Sequence, residues 1–298
     1  MKPQMAILGA GRVGRSLGRR LRLLGWKIGA VVTRSEAGAR RAVRFIGAGA
    51  AHGKMTRQLL ASPIILVATP DGALPQVARE LARIGGEELR GKIVLHTSGA
   101  LDSRVLAPLK KCGAAVGSLH PLQSFSGVGV PPLAGRVFAI EGDAAALRMA
   151  RQIVRQLEGT PVLVPADKKP LYHAACAFSA GYLLSVMEAA TRMMIATGMK
   201  QREAQRALLP LTRQVLDNFE RLGAAAAWTG PLSRGDYAVI AAHAAALRKF
   251  PRPYGAALEA LTRLGAVTLA RQPEKMLAAL DGIFGAGKRR KKSTARKR

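Results

Sequence analysis

The stretch that decides the fold is Gly9-Ala10-Gly11-Arg12-Val13-Gly14, which directly follows an apolar run at residues 5–8. Glycines with this spacing, placed after a strand and before a helix, are typical of a loop that binds the pyrophosphate of a dinucleotide. Gly9 permits a tight turn, Gly11 lets a phosphate approach the backbone, and Gly14 lets the helix pack closely on the strand. The free N–H groups at the start of the helix favour an anion. The alternative is a plain glycine turn before a helix.

Strands and helices alternate along the first half of the chain. Short apolar runs predict strands at residues 5–8, 27–32, 48–51, 64–68, 93–96, 114–119, 137–141 and 162–164. Segments with helical spacing separate most of these runs. This alternation predicts an α/β fold with a Rossmann-type, doubly wound and mainly parallel sheet over residues 1–165.

The second half of the chain has no convincing strand after residue 167. Helical patterns cover residues 168–196, 201–222, 237–249, 254–271 and 274–284. They predict an all-helical domain over residues 166–285, and their broad apolar faces predict a homodimer formed through this domain. Residues 286–298 form a block of like charge, which predicts a disordered basic tail.

Composition restricts the compartment and the partners. The net charge is +29, and eight Lys and Arg lie in residues 287–298 without an acid. Such a tail attracts nucleic acid or another polyanion; the alternative is an arginine-rich composition with a solvated tail. We expect no membrane span, because no run of 18 apolar residues occurs, and no signal peptide. The two cysteines, Cys112 and Cys176, are far apart, which predicts a cytoplasmic protein without a disulfide or metal site.

The end of the second predicted strand selects the cofactor. NAD enzymes usually place an acid here, but this chain has Thr33-Arg34-Ser35. A guanidinium and two hydroxyls suit a 2′-phosphate, so the sequence predicts NADP(H) as the cofactor. The alternative is a surface arginine beside a serine that caps the next helix.

Three further strand ends carry residues for the reaction. The backbone of Ala68-Thr69-Pro70 should line the path of the nicotinamide ribose, and Asp71 is either part of the site or a helix cap. His96 and Ser98 follow the next strand, and His120 follows the one after. Hydride transfer at a C–O or C–N centre needs a proton partner, so His120 is the predicted acid or base. For both histidines the alternative is a structural role.

The long helix of the second domain begins with further polar residues. Lys169 and His173 are four residues apart and share one face, so with Ser98 they are predicted to contact a small-molecule substrate. The alternative for this pair is a solvated start of a helix. Arg234 either binds an acid group of the substrate or pairs with Asp236.

These motifs together resemble those of a known group of proteins. The glycine loop, Thr33-Arg34-Ser35 and the helical second half resemble the superfamily of 6-phosphogluconate dehydrogenase and pyrroline-5-carboxylate reductase. Four segments resemble one branch, in which a Rossmann-like domain precedes a domain of unknown function: His96-Thr97-Ser98-Gly99, residues 119–125, Tyr172-His173-Ala174-Ala175 and residues 230–236. The resemblance implies NADP binding and a reductase or dehydrogenase.

One relative bears on the proton partner. Residues 117–122 resemble the histidine-proline motif of prephenate dehydrogenases, whose histidine interacts with the substrate hydroxyl; this likeness supports His120. The chain departs from that family after Leu122.

Two functions follow from these patterns. The first is hydride transfer between NADP(H) and a small polar substrate, such as a keto acid, a hydroxy acid or an imine. The second is an NADP(H)-binding sensor or scaffold without turnover, whose basic tail binds a polyanion.

Overall fold

The computed structural model of the protein describes residues 3–294. The chain forms two compact units, Met1–Leu183 and Leu184–Arg298. The first unit extends past the predicted boundary at residue 165, and the helix that follows contributes the buried side chain of Lys169 to it.

The first unit is built on an eight-stranded sheet with the order β3-β2-β1-β4-β5-β6-β7-β8. Only the β6–β7 pair is antiparallel among these neighbours, so the predicted mainly parallel sheet is confirmed. The strands are β1 (Gln4–Leu8), β2 (Lys27–Val32), β3 (Ala50–His52), β4 (Ile64–Val67), β5 (Ile93–His96), β6 (Ala115–Pro121), β7 (Val137–Gly142) and β8 (Thr160–Leu163).

Helices cover both faces of this sheet. Side chains alternate between the two faces of a strand, so Met5 and Ile7 of β1 join one apolar core while Ala6 and Leu8 join another. The helices are α1 (Arg12–Leu23), α2 (Glu36–Ile46), α3 (Leu74–Gly85), α4 (Ala107–Lys111) and α5 (Ala144–Gln156). Two cores explain why the central strands are apolar throughout rather than alternating.

The strand register sets where the site forms. Val67 of β4 pairs with His96 of β5, and His96 pairs with Ser118 of β6. Leu8 of β1 pairs with Val67 on the other side. The segments that follow β1, β4, β5 and β6 therefore meet at one edge of the sheet.

A long helical segment, Ala166–Ala196, follows the sheet. It contains α6 (Lys169–Ala177), a π-helical turn at Phe178–Tyr182 and α7 (Leu183–Ala196). By length and composition alone it could cross a membrane, but core helices of other proteins pass the same test, so this is weak evidence.

The second unit is helical in the residues that the structure describes. Its helices, after α7, are α8 (Gln201–Ala227), α9 (Pro231–Arg234), α10 (Tyr237–Ala246), α11 (Arg252–Leu269) and α12 (Pro273–Thr294). The predicted end of a helix at residue 222 coincides with a break at Gly223, whose φ is 76°.

Residues 286–294 of the predicted basic tail fall within the bounds of the last helix. The helix α12 continues to Thr294. Lys and Arg are good helix formers, and their charge is favourable near the C-terminus of a helix, so a basic run can extend one. Residues 295–298 of the predicted tail lie outside the described residues.

Candidate functional site

The glycine loop packs directly on the end of β4. Gly9 has a φ of +90°, and a Cβ at this position would lie 2.7 Å from the carbonyl carbon of Ala68 and from the nitrogen of Thr69. A Cβ on Gly14 would lie 2.5 Å from the carbonyl oxygen of Gly9. At Gly11, by contrast, a Cβ would meet nothing within 4 Å. Two glycines therefore allow close packing, and the third leaves open space for a ligand.

The start of α1 has the properties of an anion site. Gly11 is the capping residue, no side chain caps the helix, and its first turn contains no acid. The hydroxyl oxygen of Thr69 is buried without a hydrogen-bond partner among the described residues. Free helix N–H groups and an unpartnered hydroxyl fit the phosphate and ribose of a dinucleotide.

The end of β2 combines a structural role with an open guanidinium. Ser35 caps α2, since its Oγ accepts the backbone N–H of Gly38 at 3.2 Å. Thr33 donates its hydroxyl to the carbonyl of Ser35 at 2.8 Å. The side chain of Arg34 is exposed, and no hydrogen bond or ion pair to a described residue engages it. Ser35 thus caps α2, as one interpretation of the sequence predicted. The neighbouring guanidinium of Arg34 has no partner among the described residues.

A cavity of about 400 Å³ lies at this edge of the sheet. It brings together most of the predicted residues, from the glycine loop to the start of α6. Its walls are formed by Gly11, Arg12, Val13, Ala68, Thr69, Pro70, Asp71, Thr97, Ser98, Gly99, His120, Pro121, Gln123, Phe125 and His173. Lys169 and the segment Thr33-Arg34-Ser35 are not part of this wall.

Two histidines and a tyrosine meet on the side of the cavity formed by β6 and α6. The Nδ1 of His120 shares a hydrogen bond of 2.7 Å with the hydroxyl of Tyr172. The ring of His173 lies 6.0 Å from that of His120, centroid to centroid. A Cβ on Gly99 would lie 2.6 Å from Cδ2 of His173 and 2.8 Å from Nε2 of His120. The absence of a side chain at Gly99 therefore lets both rings approach the loop after β5.

Burial keeps His120 neutral and Tyr172 protonated. The pKa of His120 falls to about 4, mainly because of burial, with the charges of Lys169 and His173 adding to the effect. Burial also raises the pKa of Tyr172. At neutral pH, His120 can therefore accept a proton, and the Tyr172 hydroxyl keeps its hydrogen and can donate a hydrogen bond to the imidazole.

Lys169 lies beneath the loop rather than in the cavity wall. It is 1% exposed, and its ammonium donates to the carbonyl of Ser98 at 3.0 Å and to the Oγ of Ser118 at 2.9 Å. Burial lowers the pKa of Lys169 to about 8, although the charge of Glu141 opposes this shift. Ser98 lines the cavity, but its hydroxyl accepts the N–H of Leu101 at 3.0 Å.

His96 and Arg234 follow the alternative interpretations of the sequence: a structural role for His96 and an ion pair with Asp236 for Arg234. His96 is fully buried, its Nδ1 accepts the N–H of Ser98 at 3.2 Å, and its pKa falls to about 3, mainly through burial. Arg234, in the second unit, donates from Nε to a carboxylate oxygen of Asp236 at 3.1 Å.

Sequence reasoning missed the hydrogen bond between Tyr172 and His120, and it missed Glu141 entirely. Tyr172 lies three residues after Lys169, so helical spacing places it near the same face. Glu141 is 9% exposed and ends a run of apolar residues in β7, where a charge stands out. Its carboxylate accepts the N–H and the hydroxyl of Ser103, at 2.8 and 2.5 Å.

Comparison with protein families assigns both parts of the chain. A Rossmann-like domain matches residues 2–121, and a domain of unknown function, DUF2520, matches residues 136–264. The chain is a Rossmann-like protein with a C-terminal DUF2520 domain. No curated protein matches it in sequence. His120 thus belongs to the Rossmann-like segment, whereas Lys169, Tyr172 and His173 belong to the DUF2520 segment.

Solved structures share the fold of this Rossmann–DUF2520 chain. A protein of Bacteroides fragilis assigned as an NADP oxidoreductase aligns with a TM-score of 0.73 at 20% identity, covering 88% of this chain and 97% of that one. A reductive aminase of Aspergillus terreus aligns at 0.67 and 19% identity, covering 89% and 94%. A pyrroline-5-carboxylate reductase of Coxiella burnetii aligns at 0.57 and 16%, covering 97% and 98%. At these identities the likeness shows the fold alone.

Replacing Gly99 by Ala should displace the histidines. The new methyl group would lie within 3 Å of both rings, so we expect the His120–Tyr172 hydrogen bond to break and the imidazole NMR signals of His120 and His173 to shift. Gly72→Ala is the matched control, because a Cβ there meets nothing within 4 Å. Equal spectra for the two variants would contradict the close packing at Gly99.

Proposed function

We propose that the protein is an NADP(H)-dependent oxidoreductase that transfers a hydride to or from a small polar substrate, such as a keto acid, a hydroxy acid or an imine. One observation carries this proposal. The cavity has the glycine loop and Ala68-Thr69-Pro70 on one side and the two histidines on the other. A ligand held by the first side therefore faces titratable groups on the second.

The chain's own residues define how the cofactor would be held. The first turn of α1, opened by Gly11, would bind the pyrophosphate, and the Thr69 hydroxyl offers a partner to the ribose. When bound, the nicotinamide supplies or accepts the hydride. Two proteins with this fold support a nicotinamide dinucleotide as the cofactor: the reductive aminase was solved with NADPH, and a variant imine reductase of Myxococcus stipitatus, with a TM-score of 0.63, was solved with NAD⁺. The choice of NADP(H) rests on Arg34.

The proton would move through His120. In the oxidation direction, neutral His120 accepts the proton of the substrate hydroxyl or amine as the hydride leaves carbon. In the reduction direction, the proton returns from the imidazole to the new oxygen or nitrogen. The hydrogen bond to Tyr172 orients the ring, and a ring held in place contributes to the rate through the geometry of proton transfer.

We further propose that the protein works as a homodimer formed through the helical unit. Large apolar side chains of α7 and α8 are exposed: Leu184 is 70% exposed, Leu211 63% and Phe219 59%. Apolar area of this extent on a protein surface is typical of an interface with another protein chain.

Arg34 should decide between the two nicotinamide cofactors. In Arg34→Asp, the free cation becomes an anion, so we expect the Kd for NADPH to rise on the order of 100-fold through lost charge-assisted hydrogen bonds and new repulsion. The Kd for NADH should change little. Arg44→Asp, an exposed charge reversal near the other end of α2, serves as the control. Fluorescence titration measures both constants, and equal losses for the two cofactors would refute the 2′-phosphate assignment.

His120→Gln should impair the reaction while leaving cofactor binding intact. We expect kcat/KM to fall about 10²- to 10⁴-fold, because a general acid or base is lost, with an unchanged Kd for NADPH. The substrate comes from a screen of 2-oxo acids, hydroxy acids, and ketones with added amine. His243→Gln, an exposed histidine of the second unit, is the control. In the oxidation direction the wild-type rate should rise with pH through about 4, where His120 loses its proton, and then level off.

The dimer can be tested independently of activity. A chain of 31.5 kDa should elute with twice this mass in light scattering. The pair Leu211→Asp and Phe219→Asp should give a single-chain mass, because two charges would be buried in an apolar interface. Gln205→Asp, an exposed polar position of α8, should leave the mass unchanged. A wild-type protein with the mass of one chain would overturn the proposal.

A further inference from the structure

A buried chain of polar groups runs under the candidate site. The ammonium of Lys169 donates to Ser118 at 2.9 Å, and the Ser118 hydroxyl donates to the carboxylate of Glu141 at 3.5 Å. The same carboxylate accepts two hydrogen bonds from Ser103. Lys169 is 1% exposed, Ser118 0% and Glu141 9%. A cation and an anion are thus linked through a serine in the interior of the first unit.

Burying two charges needs compensation. Removing an ammonium or a carboxylate from water costs free energy, which their attraction offsets only when further hydrogen bonds satisfy both groups. Here those bonds come from different parts of the chain: α6 supplies Lys169, β6 Ser118, β7 Glu141, and the segment after β5 supplies Ser98 and Ser103. The network therefore fixes four segments relative to one another.

Three of the four segments that the network fixes also form the histidine cluster: β6, α6 and the segment after β5. Ser118 lies two residues before His120 on β6, so both side chains share one face of the strand. Ser98 precedes Gly99, which lies against the two histidine rings. Lys169 lies three and four residues before Tyr172 and His173, on the same side of α6. A shift of Lys169 would therefore move the groups on either side of the His120–Tyr172 hydrogen bond.

We propose that Lys169 and Glu141, joined through Ser118, are positioning residues that set the placement of His120, Tyr172 and His173. The inference rests on the proposed function only for the role of His120 in catalysis. Lys169 acts through its partners, because its ammonium is enclosed under the loop after β5 and bound to Ser98 and Ser118. Loss of a purely stabilising ion pair would change only the free energy of unfolding. Loss of this network should also displace the histidine rings in the folded protein.

The test follows the histidines in the full-length protein without cofactor. In Lys169→Met, we expect the imidazole NMR signals of His120 and His173 to shift and His120 to titrate closer to its ordinary pKa. The ionisable groups that surround His120 are Lys169, Tyr172 and His173 on α6 and His96 on β5, so the loss of Lys169 removes one cation from that set. Lys168→Met is the matched control, because this neighbouring lysine is exposed and pairs with Asp167.

A kinetic measurement completes the test. With NADPH and a substrate from the screen, Lys169→Met should lower kcat/KM on the order of 100-fold, as expected for a small misplacement of reacting groups, without changing the Kd for NADPH. Lys169→Arg keeps the charge but changes the geometry of the hydrogen bonds to Ser98 and Ser118. In this variant the pKa of His120 should return closer to its wild-type value than kcat/KM does.

The outcomes separate the two proposals. Histidine signals and a titration in Lys169→Met that match those in Lys168→Met would overturn the positioning role, whatever the activity. The histidine NMR signals could shift in Lys169→Met while the wild-type protein transfers no hydride to or from any substrate of the screen. That result would leave the positioning role standing and refute the proposed function. If Lys169→Met does not fold, Ser118→Ala decides, since it keeps both charges and removes the bridge. An unmoved His120 signal in that variant would overturn the inference.

Discussion

The site depends on a close backbone contact between the glycine loop and the end of β4. A Cβ on Gly14 would lie 2.5 Å from the carbonyl oxygen of Gly9, and one on Gly9 would lie 2.7 Å from the backbone of Ala68 and Thr69. Because neither residue has a side chain, α1 can begin directly against the neighbouring strand. The open space at Gly11 and the uncapped start of α1 follow from this contact, and so does the position of the cavity at the carboxyl edge of the sheet.

A second glycine sets the opposite wall in the same way. Gly99 lets the loop after β5 approach His120 and His173 to within a distance that no methyl group would tolerate. The same loop is also fixed by a hydrogen bond that the ammonium of Lys169 donates to the carbonyl of Ser98. Close backbone approach on one side and a buried charge on the other leave little freedom for the histidines. The helix that carries Tyr172 is fixed by the same ammonium, so both partners of the central hydrogen bond share one anchor.

The sequence predicted the features that depend on local pattern. Strand and helix periodicity, the glycine loop and the convergence of residues 68–70, 98 and 120 at one edge follow from short-range spacing and from the geometry of parallel sheets. The partner of His120 did not follow, because Tyr172 lies 52 residues away and the rotation of α6 is set by Lys169. Glu141 was not predicted for a similar reason: its hydrogen-bond partners, Ser103 and Ser118, are distant in sequence. The helix α12 continues into residues 286–294, where the block of like charge had predicted disorder.

Charge in the first unit bears on the proposed chemistry in two ways. Burial is the main reason that His120 is neutral, and the ammonium of Lys169 adds to this by disfavouring a second cation nearby. The same ammonium would stabilise an oxygen that gains negative charge during hydride transfer to a carbonyl, because electrostatic stabilisation is strong where water is excluded. Burial lowers the pKa of Lys169, and the charges of Glu141, Asp102 and Asp71 oppose this shift. Lys169 therefore influences the protonation of His120 from beneath the loop after β5, outside the wall of the cavity.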